Sequence, residues 1–335
     1  MPTKKKSPFP FRRVLITGGA GFIGSHLADR LLADGAHVEI IDDLSTGSVF
    51  NVDHLRKNKN FDITIASILN ESKLAECVDR ADAIVHLAAA VGVRLIVENP
   101  VRTIETNLNG TENVLRAAMK KKKPVLVAST SEVYGKRQEV PFREDDDLVL
   151  GASRRPRWAY ACSKLMDEFL ALAHWRENKM PVVIARLFNT VGPRQTGMYG
   201  MVIPRLTSQA LAGKPLTIYG DGSQTRTFCH VTDAVEGLAG LLADQRTYGA
   251  VYNLGGTGEI SIRDLAQLIL RKTRSKSKLN FIPFEKAYDG DFEDMQRRVP
   301  DLTKINKAIG YKPRRDIEKI IEDVIAFEKG KTRRK

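Results

Sequence analysis

The chain has few cysteines and no long apolar run. Its 335 residues include 3 cysteines, Cys77, Cys162 and Cys229, whose spacing fits neither a metal site nor a disulfide framework. No stretch approaches the roughly 18 consecutive apolar residues of a membrane-spanning helix. The segment before Arg13 has lysines and prolines but lacks the apolar centre of a secretory signal. These absences predict a cytoplasmic protein with reduced thiols, no bound metal and no membrane attachment.

Aromatic residues are also scarce, at 7% of the chain, and they do not interleave with the basic runs. The net charge is +13, from 53 Lys and Arg against 40 Asp and Glu. Part of the excess lies at residues 120–123 and in two segments that we interpret as basic tails, 1–11 and 331–335. Without neighbouring aromatic residues these runs argue against nucleic-acid binding. A positive excess also attracts phosphorylated small molecules.

Short apolar strands alternate with helical patterns through the first half of the chain. The pattern predicts strands at 14–17, 37–41, 62–66, 83–87, 124–128 and 181–187. Such an alternation predicts an α/β fold with a parallel sheet that is covered on both faces. Beyond residue 190 the rhythm changes, although 233–256 resembles sheet material again. We therefore expect a first domain at 12–190 that includes 233–256, and a second at 191–232 and 257–330.

A glycine-rich bend, Thr17-Gly18-Gly19-Ala20-Gly21-Phe22-Ile23-Gly24-Ser25, joins the first predicted strand to the first helix. One glycine in such a bend permits a tight turn, a second admits a pyrophosphate, and a third lets helix and strand pack closely. Gly18 and Gly19 fit the first position equally well, so the sequence leaves that choice open. Asp42 ends the second strand, where a carboxylate bonds a ribose 2′-hydroxyl and repels a 2′-phosphate. The bend therefore predicts NAD binding, and the alternative is a glycine-rich turn without a ligand.

Tyr160 and Lys164 lie four positions apart, on one face of a predicted helix. A phenol has a pKa near 10, and we expect the neighbouring ammonium to lower it so that Tyr160 can act as a base. Alone, such a pair is usually an exposed helix pair. The segment Thr130-Ser131-Glu132 strengthens the catalytic interpretation because it follows the fifth strand, where α/β sheets bind ligands.

These motifs occur together in one chain: TGGAGFIGS, IIDDL, VHLAA, STSEVYG, YACSK, ARLFNTVGPR and YGDGSQTRTFCHVTD. On them the chain resembles, from about residue 12 to 328, the extended short-chain dehydrogenase/reductase family of nucleotide-sugar epimerases, dehydratases and decarboxylases. The resemblance implies a Rossmann-like doubly wound parallel sheet with a smaller, mainly C-terminal α/β substrate domain. It also implies that NAD stays bound through catalysis, that the substrate is a nucleotide sugar, commonly a UDP-sugar, and that a homodimer forms through helices near 103–119 and 159–174.

The resemblance further implies roles for individual residues. The family's adenine-contacting Asp falls at Ser67, which is a departure from the family pattern. The cofactor-binding positions are Gly18, Gly21, Phe22, Ile23, Gly24, Asp42, Ser67, Ile68, Leu87, Ala88, Ala89, Asn107, Tyr160 and Lys164. The catalytic positions are Thr130, Ser131, Glu132, Tyr160 and Lys164. The substrate-binding positions are Asn189, Arg194, Leu216, Ile218, Tyr219, Arg226 and Arg298.

Members of this family share oxidation at sugar C4 and differ in the step that follows. Dehydratases usually carry Thr-Asp-Glu, and Ser131 cannot supply the carboxylic acid, so dehydration is disfavoured. Thr-Ser-Glu is typical of uronate decarboxylases, but their strand-four loop normally reads Ala-Ser-Pro, whereas AAAVGV at 88–93 is closer to the 4-epimerases. Arg194 could hold a substrate carboxylate in the plane of the 4-keto system, which would discourage loss of CO2.

We therefore expect a 4-epimerase, an isomerase that acts on a UDP-hexose or UDP-glucuronate. The alternative is a UDP-glucuronate decarboxylase. A third reading is a non-catalytic NAD-binding regulator, which would be expected to lose the Tyr160–Lys164 pair that this chain retains.

Overall fold

The computed structural model describes residues 9–91, 99–155, 157–197, 201–283 and 295–332. The strands are β1 (Arg13–Thr17), β2 (His37–Asp42), β3 (Phe61–Ile65), β4 (Ala83–His86), β5 (Val125–Thr130), β6 (Val182–Leu187), β7 (Thr190–Val191), β8 (Leu216–Tyr219), β9 (Thr225–Thr227), β10 (Cys229–His230), β11 (Ala250–Leu254), β12 (Glu259–Ser261) and β13 (Leu279–Ile282). Seven of them form one parallel sheet in the order β11-β6-β5-β4-β1-β2-β3. The chain moves outward from β1 and β4 in opposite directions, so the strand order reverses between these two neighbours.

Helices cover both faces of this sheet. The helices of the described residues are α1 (Phe22–Ala33), α2 (Glu71–Arg80), α3 (Pro100–Met119), α4 (Arg157–Asn178), α5 (Val202–Leu211), α6 (Val231–Ala243), α7 (Ile262–Thr273), α8 (Thr303–Ile309) and α9 (Ile317–Thr332), of which α5, α7 and α9 pack away from this sheet. No helix within the described ranges is long and apolar enough to cross a membrane.

Each face of the sheet has its own apolar core, because successive side chains of a strand point to opposite faces. In β1, Val14 and Ile16 pack into a core with α1 and α6, whereas Leu15 packs into a second core with α2, α3 and α4. All three side chains are at most 1% exposed, and burying one side chain of this size stabilises the fold by about 1.5–3 kcal/mol. The predicted Rossmann-like, doubly wound α/β fold is confirmed.

A third apolar core lies in the later part of the chain. It brings together Ile203 of α5, Ile218 of β8, Leu265 of α7 and Ile320 of α9. Three short strand pairs, β7–β10, β8–β13 and β9–β12, occur in this part. The sequence analysis missed them because strands of two to four residues carry too little pattern to recognise. The expected division into two domains stays a prediction.

Candidate active site

A cavity of about 530 Å³ lies at the carboxyl ends of the sheet strands. Its wall includes Gly21 after β1, Asp42 at the end of β2, Leu87 after β4 and Thr130 at the end of β5. Residues of α5 and α7 and Arg298 also line it. Parallel α/β sheets bind their ligands in this position, where the strand order reverses.

The glycine-rich bend lines one end of the cavity, and its geometry separates the roles of its glycines. Gly18 has a left-handed φ of +70°, and a Cβ atom there would lie 2.8 Å from the main-chain nitrogen of Ala88. A Cβ atom on Gly24 would lie 2.3 Å from the carbonyl oxygen of Gly18, so this glycine permits close packing of helix and strand. Gly19 packs on Ile40 and is absent from the cavity wall. The turn position that the sequence left open therefore belongs to Gly18.

The start of α1 presents main-chain N–H groups to the cavity. Gly21 is the cap residue and has no side chain to bond these groups, and Phe22, Ile23 and Gly24 all line the wall. Such a helix start binds anions through free N–H groups and the positive end of the helix dipole. The bend therefore fits the pyrophosphate of a dinucleotide.

Asp42 closes the adenosine end of the predicted cofactor site. Its carboxylate accepts hydrogen bonds from the main-chain nitrogens of Ala20 at 2.9 Å and Leu44 at 2.8 Å. Burial raises its pKa, and these two bonds partly offset the rise. The side chain still lines the cavity, as do Ser67 and Ile68. The carboxylate is thus positioned for a ribose hydroxyl, and the residues present fit NAD.

A buried histidine holds the segment Leu87–Ala89, which lines the cavity after β4. His86 bonds the hydroxyls of Thr17 at 2.8 Å and Thr111 at 2.9 Å through its two ring nitrogens. The hydroxyl of Thr17 also accepts a bond from the Ala88 nitrogen at 3.2 Å. Burial lowers the pKa of His86 to about 3, so the ring is neutral at pH 7.

The predicted catalytic residues converge on the cavity from two elements. Thr130 ends β5, Tyr160 lies in the first turn of α4, and Lys164 follows one turn later. These three side chains and Glu132 all line the wall, and the side chains of Thr130 and Tyr160 are hydrogen-bonded. Ser131 is 1% exposed and lies behind the wall. The structure therefore brings together four of the five predicted catalytic residues.

The acidity of Tyr160 differs from the sequence expectation. Burial raises the pKa of its phenol, the carboxylates of Glu132 and Asp167 raise it further, and the guanidinium of Arg298 lowers it. We expected the ammonium of Lys164 to lower this pKa, but that ammonium donates to Asp167 at 2.6 Å. In this structure, desolvation and the nearby carboxylates outweigh the ammonium, so the protein alone favours the neutral phenol.

Asn107 supports the site from behind the wall. Its side-chain oxygen accepts a hydrogen bond from the Ala90 nitrogen at 2.8 Å, and its amide nitrogen donates to the hydroxyl of Ser163 at 3.1 Å. It thereby joins α3, the loop after β4, and α4 beside the catalytic side chains.

Four polar residues that the sequence analysis assigned to the substrate, Asn189, Tyr219, Arg226 and Arg298, also line the cavity. Arg298 approaches the side-chain oxygen of Asn189 at 3.4 Å and the carboxylate of Glu132 at 3.8 Å. Arg226 donates to two main-chain carbonyls, and it and Tyr219 both line the wall. Arg226 and Arg298 are 7% and 8% exposed. Two buried guanidiniums suit the diphosphate of a nucleotide sugar because each can donate paired hydrogen bonds.

Three of the predicted substrate residues lie outside the cavity wall. Arg194 has a left-handed φ of +69° and pairs with Asp29 at 2.8 Å, which directs its guanidinium toward α1. Leu216 and Ile218 are 0% exposed and pack into the third core, whereas Tyr219 lines the cavity. Side chains of β8 point alternately to its two faces, so Leu216 and Ile218 face the core and Tyr219 faces the cavity.

The structure adds basic residues that the sequence analysis missed. Arg102 of α3, Arg157 of α4 and Arg205 of α5 all line the cavity. Arg157 is 6% exposed and lies three positions before Tyr160, so the helical repeat could have indicated it. Arg205 lies over the ring of Tyr219 at 4.8 Å. That contact joins residues 14 positions apart in different elements, and no helical or strand repeat indicates it.

Known proteins are similar to this chain over nearly its whole length. The family model described as GDP-mannose 4,6 dehydratase matches residues 15–324. A UDP-N-acetyl-alpha-D-glucosaminuronate decarboxylase of Bacillus cytotoxicus is 44% identical over 317 residues, which cover 94% of this chain and 97% of that protein. UDP-glucuronic acid decarboxylase 1 of Danio rerio is 36% identical over 326 residues, 97% of this chain and 75% of the relative.

A solved structure extends the likeness to three dimensions. The UDP-glucuronic acid 4-epimerase of Bacillus cereus, in complex with UDP-glucuronic acid and NAD, superposes with a TM-score of 0.86 at 30% identity. The superposition covers 95% of this chain and 99% of the epimerase. The resemblance inferred from the motifs is confirmed, and the chain belongs to the extended short-chain dehydrogenase/reductase family of nucleotide-sugar epimerases, dehydratases and decarboxylases.

Proposed function

We propose that the protein is an NAD-dependent decarboxylase of a UDP-hexuronate, either UDP-glucuronate or its 2-acetamido counterpart. The enzyme acts on nucleotide sugars, and its cofactor is NAD. The observation that carries the proposal is the buried side chain of Arg157, a residue that lines the cavity one helical turn before Tyr160. Two decarboxylases that are 44% and 36% identical to the chain support it.

The position of Arg157 suits a carboxylate on the reacting sugar. Sugar C4 must lie at Tyr160 for its hydroxyl to lose a proton there, and the C6 carboxylate is only two carbons away. We place the diphosphate at Arg226 and Arg298, which also line the cavity, although Arg298 lies within 3.8 Å of Glu132 on the catalytic side. A buried arginine that lines the cavity three positions before Tyr160 on α4 therefore favours a hexuronate over a neutral hexose.

The position of Arg194 does not support epimerisation. We expected Arg194 to hold the substrate carboxylate in the plane of the 4-keto system and so to suppress loss of CO2. Its guanidinium is instead paired with Asp29, outside the cavity wall. We therefore favour a decarboxylase over a 4-epimerase.

The residues of the site can be assigned to the steps of this reaction. Bound NAD supplies the oxidation at C4 and its later reversal. Tyr160 receives the proton of the C4 hydroxyl, and its hydrogen bond to Thr130 orients the phenol and favours the phenolate. The C4 ketone is β to the C6 carboxylate, so breaking the C5–C6 bond releases CO2 and leaves the electron pair on C5, delocalised onto the C4 oxygen. We assign to Glu132, which lines the cavity beside Thr130, the delivery of a proton to C5.

The test is product analysis in D2O. The purified protein is incubated with NAD and either UDP-glucuronate or UDP-2-acetamido-2-deoxyglucuronate, and the products are followed by proton NMR with CO2 measured in parallel. We expect the corresponding UDP-pentose, one CO2 per sugar, and one deuterium at C5. Tyr160→Phe is the control, and we expect its rate to fall by about 10²–10⁴-fold with NAD binding retained. A C4 epimer with no CO2 would contradict the proposal.

A 4-epimerase of UDP-glucuronate is the second candidate. The loop after β4 favours it, because Ala88–Ala90 lacks the serine and proline usual in decarboxylases, as does the likeness to the Bacillus cereus epimerase. Residues 92–93, the rest of that loop, lie outside the described residues. The D2O experiment separates the two candidates, because epimerisation returns the original hydrogen to C4 and incorporates no deuterium.

We also propose that the protein forms a homodimer through α3 and α4. These neighbouring helices expose several large apolar side chains. Val101 is 66% exposed, Ile104 37%, Met166 50% and Phe169 58%. A cluster of exposed apolar residues on adjacent helices supports an interface between two copies of the chain.

A further inference from the structure

A buried carboxylate lies behind the cavity wall on α4. The Lys164 ammonium donates to Oδ2 of Asp167 at 2.6 Å, and the two side chains are 3% and 1% exposed. Lys164 lines the cavity, whereas Asp167 is absent from its wall. Desolvating two charges costs about as much as their attraction returns, so fold stability alone gives little reason for this pair.

We propose that Asp167 is a positioning residue for the reaction, whose carboxylate holds the Lys164 ammonium in the cavity wall and limits how strongly that ammonium favours the Tyr160 phenolate. The proposal rests on the proposed function to the extent that Tyr160 is the base. It adds a residue that acts on the base through Lys164 and through its own charge, without contacting the substrate.

The other charged and polar groups around the pair are already engaged with neighbours. Glu168, the next residue on α4, pairs with Arg186 of β6 at 2.8 Å. Glu132 faces Arg298 at 3.8 Å. Within the described ranges, His86 of β4, Thr111 of α3 and Thr130 of β5 also face Tyr160, Lys164 or Asp167. With those partners in place, the charge of Lys164 is balanced by Asp167.

The size of the effect follows from the helix geometry. Tyr160 and Asp167 are seven residues apart on α4, which corresponds to a rise of about 10 Å. Two unit charges at that distance, at an effective dielectric constant of about 20, change a pKa by about 1. Asp167→Asn keeps the shape of the side chain and removes its charge. We therefore expect the Tyr160 pKa to fall by about 1, and the acid limb of the kcat/KM profile to move to lower pH by the same amount.

The experiment titrates Tyr160 directly by NMR. The protein is labelled with ¹³Cζ-tyrosine and loaded with NAD, and the Tyr160 resonance is identified as the one missing from Tyr160→Phe. Asp167→Asn is compared with the unsubstituted protein, with Asp167→Glu, which keeps the charge, and with Asp79→Asn, which removes a carboxylate paired with Lys121 on the surface. We expect the pKa of Tyr160 to fall only in Asp167→Asn.

Two results would overturn the proposal. One is an unchanged Tyr160 titration in Asp167→Asn, and the other is an equal shift in Asp167→Glu. A purely structural role would lower kcat at every pH without moving the acid limb. Asp167→Ser provides the same comparison if Asp167→Asn does not fold. Failure of the proposed function would instead appear as absence of turnover in the unsubstituted protein, and the titration can be read in either case.

Discussion

Gly18→Ala offers a sharp test of the glycine-rich bend, because the structure separates two costs of adding one methyl group. Gly18 has a left-handed φ of +70°, and its added Cβ would lie 2.8 Å from the nitrogen and 2.9 Å from the Cα of Ala88. Those atoms belong to the backbone that lines the cavity, so they cannot move aside as a flexible side chain could. Gly213 has a similar φ of +67° but no atom within 4 Å of its Cβ position. Gly213→Ala therefore carries the backbone strain without the contact.

The two costs can be estimated separately. The left-handed conformation of an alanine costs about 1–2 kcal/mol, and forcing an atom into a packed region costs about 1–3 kcal/mol more. We expect Gly213→Ala to lower the free energy of unfolding by about 1–2 kcal/mol, and Gly18→Ala to lower it by about 2–5 kcal/mol. The displaced bend should also weaken NAD binding at least tenfold, which corresponds to about 1.4 kcal/mol.

Urea unfolding measures the first quantity and isothermal titration with NAD measures the second. Gly213→Ala should bind NAD as the unsubstituted protein does, because its added methyl group meets no neighbour. Equal stability losses in the two variants, together with unchanged NAD affinity in Gly18→Ala, would refute the assignment of the tight turn to Gly18.

Three further predictions address the core, the substrate and the assembly. Burial lowers the pKa of His86 to about 3, so below about pH 6.5 the unfolded chain takes up a proton that the folded protein excludes, and the free energy of unfolding falls by about 1.4 kcal/mol per pH unit. Between pH 7 and pH 5, urea unfolding should show that the free energy of unfolding falls by about 2 kcal/mol less in His86→Asn than in the unsubstituted protein. Equal decreases in the two proteins would contradict the prediction. Arg157→Met should raise KM for the hexuronate by about 10–100-fold, which corresponds to the loss of a hydrogen bond to a charged group. The same variant should bind UDP in a calorimeter as the unsubstituted protein does. Arg298→Met should instead weaken the binding of UDP itself. Phe169→Glu should convert a dimer to a monomer in light scattering, and an unchanged mass would exclude this face as the interface.

The main sheet was predictable because its strands are buried on both faces. Val14–Ile16 is a continuous apolar run between Arg13 and Thr17, and the glycines that follow Thr17 end the strand clearly. The short strands of the later part differ, since β7 and β10 have two residues each. Their pairing depends on chain segments about 40 residues apart, and no local pattern indicates it.

The site shows a similar division between local and distant information. Residues of contiguous motifs, such as Asp42, Tyr160 and Lys164, lie in the cavity wall as their spacing suggests. Arg194 follows a proline in a loop, and its side chain is directed by a salt bridge to Asp29 of α1. Asp29 precedes Arg194 by 165 positions in the chain. A motif indicates which residue types are near one another in the chain, but the orientation of a long side chain depends on a partner that the motif does not contain.

The acidity of Tyr160 shows most clearly why the motif alone is insufficient. The Tyr–Lys spacing suggests an ammonium that lowers the phenol pKa. Burial instead raises that pKa, and the Lys164 ammonium donates a hydrogen bond to Asp167. Each pKa unit corresponds to about 1.36 kcal/mol, so a phenolate near neutral pH requires additional positive charge at the site. Oxidised NAD carries that charge on its nicotinamide ring. We therefore expect Tyr160 to be a neutral phenol in the absence of the oxidised cofactor, and to become a stronger base when that cofactor binds.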